Sequence, residues 1–93
     1  MNKDTLKLLF SACAARLIGQ GITCYVSFFE DGAIQISARF AKSSVYLLCD
    51  KEGLSIRMYS NPNKTHPTEF FDTVDEALQG FWSLVGQCQK GTV

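Results

Sequence analysis

Ninety-three residues suit a single small domain, a size that buries roughly 60–65% of the surface its unfolded chain exposes. With 46% hydrophobic, 12% aromatic and only 19% charged residues, the composition excludes a disordered tail and supplies apolar mass for a core. Nine basic and nine acidic residues cancel to zero net charge, which excludes the broad field that holds a protein on nucleic acid or an anionic membrane, and no apolar run approaches the roughly 18 residues of a membrane span.

In chain order, the first element is a helix over about residues 4–18. Leu6, Leu9, Phe10, Cys13 and Leu17 recur at helical spacing, Lys3, Lys7 and Arg16 lie elsewhere, and Gly19 or Gly21 stops it. "FSAC" at 10–13 loosely resembles a lipoprotein cleavage box. Asp4 in the supposed basic region, the short apolar run and Arg16 directly after favour a helix of the mature chain instead.

Next comes "CYVSFFEDGAIQISARF", residues 24–40, two runs of β-formers around Asp31-Gly32. A two-residue loop there would leave both hairpin faces half polar. A three-residue loop, Glu30-Asp31-Gly32, with Gly32 left-handed in a bulge, pairs Phe28 with Ile34, Val26 with Ile36, Cys24 with Ala38 and Ile22 with Phe40, making one face wholly apolar. A one-residue slip inverts every side chain, so the pattern decides for the bulged hairpin. A turn around Lys42-Ser43 then sets Phe40 against Val45, Ala38 against Leu47 and Ile36 against Cys49. "DKEG" at 50–53 sets Cys49 against Leu54, Leu47 against Ile56 and Val45 against Met58.

After "SNPNKTHPTEFFD", residues 60–72, a long loop whose Phe70 and Phe71 anchor its end to the core or add a short strand, a second helix spans about 73–89. It opens on the capping box Thr73-x-x-Glu76 and carries Val74, Ala77, Leu78, Phe81, Val85 and Cys88 along one side. The expected fold is α+β: a two-layer α-β-β-β-β-α domain, residues 1–93, with a four-stranded antiparallel meander and both helices packed on one face.

That register also gives the uncovered face. Thr23, Arg39, Tyr46 and Arg57 are expected side by side, with Tyr46 between two arginines. Tyr25, Ser37, Leu48 and Ser55 form the adjoining row, and Phe29 and Tyr59 lie beyond. Arginine offers planar donors and tyrosine a rigid amphipathic ring, a pairing enriched at binding sites. The bland alternative is arginines stacked on Tyr46 that merely cover the sheet. Arg39, Tyr46, Arg57, Tyr25, Tyr59 and Phe29 are therefore the candidate partner-binding residues. Strands one and four are expected to be open edges that could also pair with a second copy.

Catalytic chemistry is not indicated. Cys13, Cys24, Cys49 and Cys88 stand 11, 25 and 39 residues apart without a CxxC or a Cys/His cluster, so neither a metal site nor a disulfide framework is suggested. Buried free thiols in a reducing cytoplasm are expected. His66, the one histidine, reads as a surface loop residue. Asp72, Asp75 and Glu76 read as complements to a helix N-terminus rather than a catalytic pair. No Gly-rich loop joins a strand to a helix.

The element order approaches the α-β-β-β-α of double-stranded-RNA-binding domains. It departs in a fourth strand and in "FDTVDEAL", where that family places a lysine-rich helix start. Phage-encoded inhibitors of host defence are similar in size and shape only. The expectation is a non-enzymatic, cofactor-free, cytoplasmic adaptor or inhibitor that binds a protein partner, with homodimerisation open, single-stranded nucleic acid as the alternative ligand and no membrane contact.

Overall fold

The computed structural model describes residues 2–60 and 64–91. Helix α1 (Lys3–Gly19) starts where the Asn2 side chain accepts the Thr5 N–H at 2.8 Å. It stops at Gly21, whose φ of 76° is left-handed. The Gly21 N–H then reaches the Ile18 carbonyl and the Ile22 N–H the Leu17 carbonyl, both at 2.9 Å. This paired closure satisfies the last carbonyls and sets buried Ile22 beside fully buried Leu17. Of the two glycines named as stops, Gly21 is the one that acts.

Four strands follow: β1 (Thr23–Phe28), β2 (Ile34–Arg39), β3 (Ser43–Asp50) and β4 (Gly53–Ser60). The β1–β2 register is the one deduced from the apolar pattern, with Cys24 opposite Ala38, Val26 opposite Ile36 and Phe28 opposite Ile34. Gly32 is left-handed at φ 91°, and its N–H donates to the Phe29 carbonyl at 3.0 Å. β3–β4 also pairs as expected, Val45 with Met58, Leu47 with Ile56 and Cys49 with Leu54.

One register differs. β2 and β3 meet two residues away from the expected alignment: Ala38 faces Val45, Ile36 faces Leu47 and Ile34 faces Cys49. The turn falls one residue earlier than expected: Phe40 N–H donates to the Ser43 carbonyl at 2.8 Å, leaving Ala41 and Lys42 as the loop. Ser43 enters the strand at little cost, since its buried hydroxyl donates to the Cys88 thiol at 3.2 Å. A shift of two keeps every side chain on its face, so the inside and outside assignments survive while neighbours across the strands change.

The chain from 60 to 72 adds two short strands, β5 (Lys64–Thr65) and β6 (Glu69–Phe71), both antiparallel to β4; residues 61–63 of that segment lie outside the described residues. The sheet therefore has six strands rather than four. β4 is not the open edge that a plain meander implies; β1 is.

Helix α2 (Val74–Gln89) opens on the capping box: Thr73 Oγ1 accepts the Glu76 N–H at 3.2 Å and donates to the Glu76 carboxylate at 3.1 Å. α1 packs on β1 and β2, and α2 on β3, β4 and β6, so both helices cover one face. Phe10, Leu17, Phe81 and Val85 from the helices meet Ile36, Ala38, Val45, Leu47 and Ile56 from the sheet in one continuous core. Each such Leu, Ile, Val or Phe contributes about 1.5–3 kcal/mol relative to exposure.

Candidate functional site

The opposite face has no helix, and its rows follow from the observed pairing. Thr23, Arg39, Ser44 and Tyr59 lie abreast; so do Tyr25, Ser37, Tyr46 and Arg57; the third row is Ser27, Gln35, Leu48, Ser55 and, on β6, Phe70. Tyr46 does not sit between two arginines in one row. Its strand neighbours are Ser37 and Arg57, because β2 is displaced by two residues relative to β3. Arg39 still reaches it diagonally: the guanidinium carbon stands 5.3 Å from the Tyr25 ring centre and 6.0 Å from that of Tyr46. The β3–β4 register places Tyr59, opposite Ser44, diagonal to Tyr46, and their rings meet edge to face at 5.5 Å and 86°, a favoured aromatic geometry.

Ser37 and Ser55 belong to this uncovered face and are nonetheless buried. Each stands between large neighbours, Ser37 between Tyr25 and Tyr46 and Ser55 between Leu48 and Phe70. The small side chains let the rings and Leu48 lie low over the strands. Among the described residues, no buried side-chain polar atom lacks a hydrogen-bond partner, so these positions store no unsatisfied polarity.

Five of the six sequence-derived residues, Arg39, Tyr46, Arg57, Tyr25 and Tyr59, converge on this face. Phe29 is exposed at the hairpin turn, one step beyond the third row. Arg57 is exposed and makes no ring contact or ion pair among the described residues, in contrast to Arg39. With Gln35, Tyr46 and Tyr59 it lines a shallow depression of about 390 Å³. Of the two roles expected for Phe70 and Phe71, an anchor or a short added strand, the pair lies in the strand β6, and Phe70, 58% exposed, is a further member of this face. Its pairing with Ser55 puts it outside, while the next residue, Phe71, turns in against Ile56 and Gly80.

The reactive groups lie elsewhere. All four cysteines are free. Burial pushes the Cys13 thiol up, partly offset by Arg16, and burial together with Asp50 pushes Cys49 up, which disfavours the thiolate in both. His66 is half-buried, with Nε2 2.9 Å from the Ser60 hydroxyl and its N–H donated to the Met58 carbonyl; it serves to pin the segment after β5 along β4. Among the described residues, no group of three His, Cys, Asp or Glu side chains could hold a metal ion, and no helix is long and apolar enough to cross a membrane.

The class that the fold defines is a two-layer α+β domain with an antiparallel sheet. Comparison with known proteins finds no matching family model, no matching curated protein and no matching solved structure.

Proposed function

We propose that the protein is a small non-catalytic interaction module, of adaptor or inhibitor type, that holds a protein partner against the helix-free face of its sheet. The observation that carries this reading is Arg57: an exposed guanidinium with no partner among the described residues, standing beside the Tyr46–Tyr59 ring pair. Arginine beside packed tyrosine is the composition enriched at energetic centres of protein interfaces. The rings are already fixed by one another and by Arg39, so little side-chain freedom remains to be lost on binding. No carboxylate stands in the two rows that hold Arg39, Tyr46 and Arg57, so the complementary surface is one that brings its own carboxylates to a flat aromatic patch.

The test is affinity capture from source-cell extract with the wild-type chain, with Arg57→Ala and with Arg39→Ala/Tyr46→Ala, each first shown to melt within a few degrees of wild type. A protein retained by wild type and lost with both variants supports the reading. A captured set unchanged by either variant removes it. The face also offers rings to unpaired bases. Salt-sensitive polarisation changes with short single strands, abolished by the same variants, would replace the protein partner with nucleic acid.

A further inference from the structure

The two edges of the sheet are finished differently. Along β4, the Met58 carbonyl accepts the His66 N–H at 3.1 Å, and β5 and β6 pair with the residues on either side. Along β1, one bond sets the phase. Phe29 N–H donates to the Ala33 carbonyl at 2.9 Å, so the alternation of an antiparallel ladder turns the backbone groups of Thr23, Tyr25 and Ser27 toward β2 and those of Cys24, Val26 and Phe28 outward. "TCYVSF" contains no proline or lysine, the usual guards of an open edge. Apolar exposure is concentrated on these elements: of the seven large apolar side chains exposed by 40% or more among the described residues, Leu8, Ile18, Tyr25, Phe28 and Phe29 lie on α1, on β1 or directly after it.

The orientation of α1 is fixed by its contacts. Arg16 stacks on Trp82 of α2 at 3.9 Å, whereas Lys7 lies 6.0 Å over the Phe28 ring and the Cys24 thiol donates to the Ala14 carbonyl at 3.8 Å. The side of the helix above the open edge is therefore the stripe Lys7, Ser11, Ala14 and Ile18, at i, i+4, i+7 and i+11. Ser11 is exposed and Ile18 is 66% exposed.

We propose that this chain pairs with a second copy of itself through the β1 edge and this side of α1. A two-fold axis perpendicular to the sheet, running beside β1, continues the sheet from one copy into the other. Neighbouring strands lie about 4.8 Å apart, and α1 packs over both β1 and β2, which puts the helix about 5 Å from that axis. The two α1 helices then run antiparallel about 10 Å apart, at the upper end of the helix-packing range of 8–10 Å. One operation thus satisfies both the strand edge and the helix stripe. An unrelated strand would fill the edge and leave the stripe bare.

The level of the axis follows as well. Lys7 stands at Phe28 and Ala14 at Cys24, so the midpoint of Ser11 and Ala14 lies level with Tyr25. An axis through Tyr25 pairs Cys24 of one copy with Val26 of the other, both with outward backbone groups, and crosses the helices at their small residues. Zero net charge leaves no overall repulsion between copies. The two helix-free faces then join into one, with Tyr25 at its centre.

Light scattering and sedimentation are expected to give twice the 10.3 kDa of the chain. Ser11→Arg combined with Ile18→Glu halves that mass, whereas Arg57→Ala, whose failure would bear on the proposed partner face, does not. Amide exchange gives a reading that needs no variant: in the pair, the Cys24 and Val26 N–H groups exchange as slowly as those of Tyr25 and Ser27. A wild-type chain of single mass at millimolar concentration overturns the proposal. So does a dimer whose Cys24 and Val26 amides exchange freely, or one that survives the double α1 variant.

Discussion

The two faces of the sheet are formed by the same strands, one residue out of step. Val26, Ile36, Leu47 and Ile56 form a row beneath the helices, and all but Val26, nearest the edge, are sealed from water. Tyr25, Ser37, Tyr46 and Arg57 form the row behind it, in which only Ser37 is buried. The inner row is buried by another layer of the molecule, the outer one only by its neighbours' rings. Inner positions should therefore transmit damage to the whole fold, and outer positions should not.

The largest effect expected from breaking this contrast is Phe81→Ala. Its ring, fully buried between α2 and the sheet, leaves a cavity worth about 3–5 kcal/mol in urea unfolding. Gly80→Ala is smaller and runs against helix propensity. The new Cβ would meet the Phe71 ring at 2.9 Å and Ile56 Cδ1 at 3.2 Å. Overpacking of about 1–3 kcal/mol then outweighs the roughly 1 kcal/mol gained by removing a helical glycine, and the melting temperature falls.

Alkaline pH probes the same inner layer. Cys13 and Cys49 hold their protons more tightly when folded than at the ordinary value of 9.0. The stability they contribute is complete below that value and is lost as pH rises through the raised folded values. Unfolding free energy should decline above about pH 9, and Cys13→Ala should flatten the decline. The smallest effect belongs to the outer face: Arg57→Ala changes stability by no more than about 0.5 kcal/mol, and a shift as large as that of Phe81→Ala would show that the face is structurally committed.

Much of this contrast was legible in the residues. The alternation in 22–28, 34–40, 45–49 and 54–58, with a left-handed Gly32, fixed which side of each strand is greasy. It could not fix the β2–β3 alignment, because sliding by two leaves both apolar faces intact; the earlier turn goes with a buried Ser43–Cys88 contact, invisible in a pattern that treats serine as polar. β5 and β6, at two and three residues, are too short to show a period. They changed two expectations together, closing the β4 edge and bringing Phe70 onto the outer face. Phe70 could have been found from its place beside Phe71, since adjacent residues of a strand point opposite ways.

The sheet is also built almost entirely by neighbours in the chain. β1 to β4 pair in succession, and only β6 reaches back past β5. Each closure spans a short loop, so the meander can zip from hairpin to hairpin with little entropy spent on distant encounters. Folding within the range of mixed α and β two-state domains, without a populated intermediate, is the kinetic outcome of that ordering.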